Sequence, residues 1–155
     1  MYKINIKSKD DYYTIITYLF KICDKFKVVS MHGDAKNIEK SKFADELNLF
    51  CIEEKKVEKW PDMAKSPKSK MRVYSCNKTT WKLFKRQENF FEYKVDDGIR
   101  YYNTFGIDEQ FDISFYNNDE CLLYTIGHEG LCFSENRKLK EFLIEKNIGI
   151  CKVKN

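Results

Sequence analysis

The side chains best suited to chemistry lie near the end of the chain, where His128 and Glu129 are flanked by Cys121 and Cys132. A neutral imidazole can take the proton of a thiol and convert it into a nucleophilic thiolate. The chain therefore carries one candidate enzyme site, with His128 as the base and either cysteine as the nucleophile. The same side chains can ligate metals, but their spacing matches no common zinc module, so we predict neither a metal nor a cofactor.

Other catalytic motifs are missing from the sequence. It has no Gly-rich phosphate loop, no Gly-x-Ser-x-Gly elbow and no His-Glu-x-x-His helix. The second histidine, His32, precedes Gly33 and Asp34 and is predicted to be a surface turn residue. Adjacent carboxylates such as Asp96 and Asp97 are predicted turn charges, because neighbouring strand residues point to opposite faces. A binding protein is therefore favoured over an enzyme.

Charge is distributed unevenly along the 155 residues, although the net charge is only +4. Residues 55–86 carry 11 Lys and Arg against 2 Asp and Glu, whereas residues 87–136 carry 2 against 11. Two such blocks either neutralise each other within the fold or form two surfaces of opposite sign. The second alternative provides two candidate binding sites.

The acidic block defines a candidate protein-binding face, on which carboxylates attract a basic partner and tyrosines anchor the contact. Its residues are Asp96, Asp97, Tyr101, Tyr102, Asp108, Glu109, Asp112, Tyr116, Asp119, Glu120, His128 and Glu129. This interpretation requires the carboxylates to form one continuous negative surface.

The basic block defines an alternative site, on which lysines follow a phosphate backbone and aromatic rings stack on bases. Its residues are Lys55, Lys56, Lys59, Trp60, Lys65, Lys68, Lys70, Arg72, Lys82, Lys85 and Arg86. Nucleic acid is the partner in this alternative.

Composition indicates a folded protein of one domain spanning residues 1–155. Apolar residues make up 43% of the chain and aromatic residues 15%, which is too many for a disordered segment. No apolar run is long enough to cross a membrane, and the first residues alternate instead of forming a secretory leader. We therefore predict a cytoplasmic protein with no membrane partner, in which six cysteines are reduced, buried thiols.

Hydrophobic periodicity places the elements that position these residues. Residues 2–7 alternate as a strand, and Ser8 is the predicted N-cap of the helix that follows. A second helix is predicted over residues 35–52, and a mobile basic loop over about residues 55–70. Ser134 is the predicted N-cap of a final helix over residues 135–146.

The clearest β-hairpin lies in the second half of the chain. Residues 111–116 alternate apolar with polar, Asn117, Asn118 and Asp119 supply a turn, and residues 121–126 return as the partner strand. Strands interspersed with helices, followed by antiparallel hairpins, predict an α+β domain. We expect a mixed or antiparallel sheet with three to four helices packed on it.

The same hairpin carries a resemblance to a known group of proteins. Residues 112–116, followed by Leu122–Gly130, are similar to a hairpin of small bacterial immunity-like proteins from polymorphic toxin systems. Trp60-Pro61, upstream of the strand near Val73 and Tyr74, agrees with this resemblance. It implies a non-catalytic inhibitor that binds a toxin domain and blocks its active site. A toxin that cuts nucleic acid has a basic cleft, to which an acidic face is attracted.

Overall fold

A computed structural model describes residues 1–31, 42–56, 69–107 and 110–153. These residues form four helices and ten strands, which confirms the predicted α+β class. The helices are α1 (Lys9–Ile22), α2 (Lys42–Asn48), α3 (Lys78–Lys85) and α4 (Arg137–Glu145). The strands are β1 (Tyr2–Asn5), β2 (Lys25–Met31), β3 (Glu53–Lys56), β4 (Ser69–Ser75), β5 (Phe91–Asp96), β6 (Ile99–Thr104), β7 (Gln110–Asn117), β8 (Glu120–Ile126), β9 (Leu131–Ser134) and β10 (Gly149–Lys152).

Eight of these strands form one antiparallel sheet, in the order β10-β1-β9-β8-β7-β2-β4-β3. The first and last parts of the chain therefore meet, because β1 pairs with both β9 and β10. Strands β5 and β6 pair only with each other and form a separate two-stranded hairpin. The sheet is the frame of the molecule, and the β5–β6 hairpin is attached to it.

The helices cover one face of the large sheet. Phe26 of β2 pairs in register with Tyr74 of β4 and Phe115 of β7, so these three rings share that face. Phe84 of α3 contacts Phe26 and Phe115 there, with ring centres 5.0 and 5.6 Å apart. Phe20 of α1 contacts the same cluster. All four helices contribute buried residues to this one core.

Helix α1 begins as predicted. The Ser8 hydroxyl accepts a hydrogen bond from the Asp11 amide, and Asp10 and Asp11 occupy the first turn, where the helix dipole favours negative charge. Helix α3 begins with a capping box, in which Asn77 and Thr80 exchange hydrogen bonds with each other's amides.

The predicted cap of the final helix is wrong. Ser134 belongs to β9, a strand that the sequence analysis did not predict, and Asn136 caps α4 by accepting from the Leu139 amide at 2.8 Å. The Ser134 hydroxyl instead accepts from the Asn136 amide and donates to the Leu122 carbonyl. The sequence alone does not distinguish Ser134 from Asn136, because serine and asparagine are both good N-cap residues.

Two predicted boundaries also need correction. The second helix covers only Lys42–Asn48 of the predicted residues 35–52, and residues 35–41 lie outside the described part. Lys55 belongs to strand β3 and Lys70 to strand β4, so both ends of the predicted basic loop lie in the sheet. Residues 57–68 lie outside the described part.

Candidate functional site

The structure divides the predicted acidic face into separate groups. Six of its residues lie on or beside the β5–β6 hairpin: Asp96, Asp97, Tyr101, Tyr102, His128 and Glu129. Three lie at the β7–β8 turn: Tyr116, Asp119 and Glu120. Asp112 is buried, and Asp108 and Glu109 lie outside the described residues.

A single continuous acidic face is therefore a wrong prediction. Strand β8 runs from the β7–β8 turn to His128, and its seven residues separate the two groups by about 20 Å. At the far turn, the Glu120 carboxylate accepts from the Asn136 side chain, and Asp119 lies 3.5 Å from Lys25. Tyr116 is half-buried, with Lys27 Nζ 4.2 Å from its ring centre. These three residues serve the fold of that end of the sheet.

Asp112 has a structural position instead of a surface one. It is only 1% exposed, and its Oδ1 accepts a hydrogen bond of 2.7 Å from the Gly127 amide. Gly127 opens the 3-10 turn Gly127–Glu129 that joins β8 to β9. A buried carboxylate bonded to this amide fixes where the turn, and with it His128 and Glu129, leaves the sheet.

Strands β5 and β6 meet at a two-residue turn. Asp96 pairs with Ile99, and the intervening Asp97 and Gly98 have φ angles of 46° and 77°. Positive φ at both positions is the type I′ turn that matches the twist of a hairpin, and the Asp-Gly pair favours it. Both aspartates are exposed at this tip.

Large apolar side chains are exposed along the same hairpin. Their exposed fractions are Tyr93 50%, Val95 61%, Ile99 67% and Tyr102 40%. Tyr93, Val95 and Tyr102 share one face of the hairpin, whereas Ile99 pairs with Asp96 and lies on the opposite face at the tip. Exposed apolar side chains scattered singly are normal, but several on one element are typical of interaction sites. We call this cluster, together with Asp96, Asp97, His128 and Glu129, the hairpin surface.

Tyr102 attaches the hairpin to the 3-10 turn. Gly130 ends the turn with a φ of 64°, and a Cβ at Gly130 would lie 2.7 to 2.9 Å from the Tyr102 ring. The ring therefore packs directly on the Gly130 backbone, which only glycine permits. Tyr93, which pairs with Tyr102 across the hairpin, contacts the same ring, with the two ring centres 5.1 Å apart. The turn thus holds the middle of the hairpin.

His128 and Glu129 lie beside this contact and are about half exposed. The His128 Nε2 atom is 3.7 Å from a Glu129 carboxylate oxygen. Because this carboxylate can pair with a protonated imidazole, the two side chains form a polar rim next to the exposed tyrosines. Both residues were predicted from the sequence, whereas Tyr93, Val95 and Ile99 were not. The alternation of Tyr93 and Val95 with charged neighbours, followed by Asp97-Gly98, is the pattern that predicts an exposed hairpin.

The proposed cysteine–histidine site is not assembled. Cys121 is the second residue of β8 and His128 follows the end of that strand, so most of the length of the strand separates them. Cys132 is fully buried in the core, whereas the His128 side chain is exposed. All six cysteines are free thiols, but only Cys23 and Cys132 are buried and Cys151 is exposed, so the prediction of six buried thiols is wrong. Burial raises the pKa of the Cys132 thiol and raises the pKa of Cys23 to about 12, which disfavours thiolate at neutral pH.

The basic segment is also divided between two places. Lys55, Lys56, Lys70 and Arg72 lie on edge strand β3 and its neighbour β4, whereas Lys82, Lys85 and Arg86 lie on or next to α3. Lys59, Trp60, Lys65 and Lys68 lie outside the described residues.

The sheet-edge cations are paired with nearby glutamates. Arg72 and Lys70 contact Glu54 at 2.6 and 3.4 Å, and Lys55 lies 3.6 Å from Glu53. The hydrogen bond from Arg72 lowers the pKa of the Glu54 carboxyl. Among the described residues, three of the four sheet-edge cations therefore pair with Glu53 and Glu54 and not with the acidic block. The two helical lysines, Lys82 and Lys85, belong to a different surface.

None of the helices in the described residues combines the length and apolar character needed to span a bilayer. Within the same ranges, no group of three or more His, Cys, Asp and Glu side chains is placed to hold a metal ion.

Comparisons of the chain with protein-family models, with curated protein sequences and with solved structures find no match. The resemblance to immunity-like proteins therefore stays a prediction from residues 112–130. Any function must be inferred from the geometry of the chain itself.

Proposed function

We propose that this chain is a non-catalytic protein-binding module that docks through the hairpin surface. The observation that carries the proposal is the exposure of Tyr93, Val95, Ile99 and Tyr102 on a hairpin separate from the large sheet. Four of the ten large apolar side chains that are exposed in the described residues lie on this one element. Such a concentration on twelve strand residues favours a contact surface over ordinary surface composition.

The hairpin has the form of an inserting element. Its tip is a tight turn, its strand edges have no partner strand among the described residues, and Tyr102 ties its middle to the 3-10 turn. A hairpin held in this way enters a cleft without first becoming ordered, which lowers the entropy cost of association. Tyrosine is among the residues on which binding energy concentrates.

The charges of the hairpin surface indicate the chemistry of its partner. Asp96 and Asp97 form the tip and Glu129 lies near the middle, and the hairpin strands also carry two cations, Lys94 and Arg100. A partner with an apolar cleft and a basic rim is complementary to this surface, since opposite charges accelerate association. A basic toxin domain has this chemistry, so we propose such a domain as the partner and this chain as its inhibitor.

The experiment measures binding to the products of neighbouring genes, because an inhibitor and its target are best sought together. For a partner that co-purifies, we expect a Val95→Ser/Ile99→Ser variant to lose about 30-fold in affinity. The two side chains together account for about 2 kcal/mol of apolar burial at such a contact. An Asp96→Lys variant, which leaves the Asp97-Gly98 turn intact, should slow association, most strongly at low salt.

The matched control is Asp119→Lys, which makes the same charge change at an exposed position at the far end of the sheet. This variant should retain the association rate of the unchanged protein. The proposal is wrong if the hairpin variants bind with unchanged affinity and rate, or if only the far-turn variant fails to bind.

A further inference from the structure

A second surface lies on the outer side of the helical layer, between α1 and α3. Its groove is lined by Phe20 and Lys21 of α1, by Lys78 and Trp81 of α3, and by neutral polar residues. None of the described residues that line this groove is acidic. The groove therefore combines aromatic rings with positive charge alone, which is a composition suited to an anionic ligand with flat rings.

Two aromatic rings continue this surface toward the start of α1. Tyr13 is exposed and lies beside Trp81, with ring centres 6.4 Å apart. Lys85 Nζ lies 4.8 Å from the Trp81 ring centre and 5.9 Å from that of Tyr13. Lys85 thus makes cation–π contacts with both rings, with Tyr13 exposed and Trp81 partly buried against the core.

The charge of this surface is not locally neutralised. Helix α3 contains Lys78, Lys82 and Lys85 and no acidic residue. No carboxylate of the described residues lies within ion-pair distance of these three lysines or of Lys21. At the sheet edge, by contrast, Lys55 and Lys70 each have a glutamate partner.

A neighbouring groove between α1 and α4 is a weaker candidate. Tyr13 and Lys21 line it as well, together with Tyr18, Phe142 and Lys146, but Lys146 lies 3.0 Å from Glu145. The Tyr18 and Phe142 rings stack on each other at 3.9 Å, so their facing surfaces are already used. We therefore assign the anionic ligand to the α1–α3 surface.

We propose that the α1–α3 surface, formed by Tyr13, Lys21, Lys78, Trp81, Lys82 and Lys85, binds single-stranded nucleic acid. Lys21, Lys78 and Lys82 contact successive phosphates, and unstacked bases pack on the rings of Tyr13 and Trp81. A duplex does not fit this role, since its bases are already stacked and cannot reach the rings. The surface is separate from the hairpin surface, so this inference does not depend on the proposed protein partner.

The test is fluorescence anisotropy of labelled 12-nucleotide oligo-U and oligo-dT with the full-length protein. For three phosphate contacts on a single strand, affinity should fall about 20-fold between about 50 and 200 mM salt. A Lys78→Gln/Lys82→Gln/Lys85→Gln variant should bind at least tenfold more weakly at the lower salt and show a shallower salt dependence.

Two controls separate this site from general charge attraction. A Lys55→Gln/Lys56→Gln/Lys70→Gln variant removes the same charge from the sheet edge and should bind oligo-U like the unchanged protein. Tyr13→Ala, at an exposed position, should weaken oligo-U binding about fivefold or more and leave inorganic polyphosphate binding unchanged, because only bases stack.

Three outcomes would overturn the inference. The first is no binding of either oligonucleotide at about 50 mM salt, where phosphate contacts are strongest. The second is an equal loss of affinity in the two lysine variants. The third is a polyphosphate or duplex affinity as high as that for the single strand and an oligo-U affinity unaffected by Tyr13→Ala, since this combination indicates charge attraction alone.

Discussion

Replacing Phe84 with alanine is expected to lower the free energy of unfolding by about 3–5 kcal/mol, the usual cost of removing a fully buried phenylalanine. Phe84 is 0% exposed and lies where three helices meet the sheet. Its ring contacts those of Phe20, Phe26, Phe43, Phe105 and Phe115, with centres 5.0 to 5.6 Å apart. Urea unfolding followed by circular dichroism measures the change.

Phe84→Leu is the matched control, because leucine fills most of the same volume without the ring contacts. It should cost distinctly less than the alanine change. If Phe84→Ala is as stable as the unchanged protein, the packing of α3 on β2 and β7 described above is incorrect.

Asp112→Ala is expected to cost about 3 kcal/mol, because it leaves the buried Gly127 amide without its hydrogen-bond acceptor. The change should also disturb the hairpin surface, since the 3-10 turn carries His128 and Glu129 and packs against Tyr102. We expect altered NMR chemical shifts at the amides of Gly127–Glu129 and of the middle of β6.

Asp119→Ala provides the control for the same chemical change at an exposed turn. Its carboxylate has one ion-pair contact, 3.5 Å from Lys25, and exposed pairs contribute about 0–1 kcal/mol. Equal stabilities of the two alanine variants would show that the Asp112 carboxylate does not support the turn.

The strands and helices that sequence alone predicts well are those with strong local patterns. The α1 cap at Ser8 and the β7–β8 hairpin follow from residues that are neighbours in the chain, and both are confirmed. Strand β9 was missed because four residues are too few to show a period, and its pairing with β1 joins residues about 130 apart. Long-range pairing of this kind leaves no local pattern to detect.

The candidate site was predicted only in part, because residues that are close in the chain can lie at opposite ends of the sheet. A charge count along the chain finds Asp96, Asp119 and Glu129 together, but β8 places Asp119 at one end of the sheet and Glu129 at the other. Asp112 is buried, although its charge counts toward the acidic block. Its carboxylate holds the Gly127 amide of the 3-10 turn and is not on the surface. Only the strand order shows which carboxylates share a surface.

The central claim is that the hairpin surface contacts a protein partner, and site-specific photo-crosslinking tests it most directly. A benzophenone amino acid replaces Ile99 at the hairpin tip or, as the control, Ile144, which is 56% exposed on α4. In cells that carry the neighbouring genes, we predict one discrete protein adduct from position 99 and none from position 144. No adduct from position 99, or the same adduct from both positions, would contradict the proposed docking role.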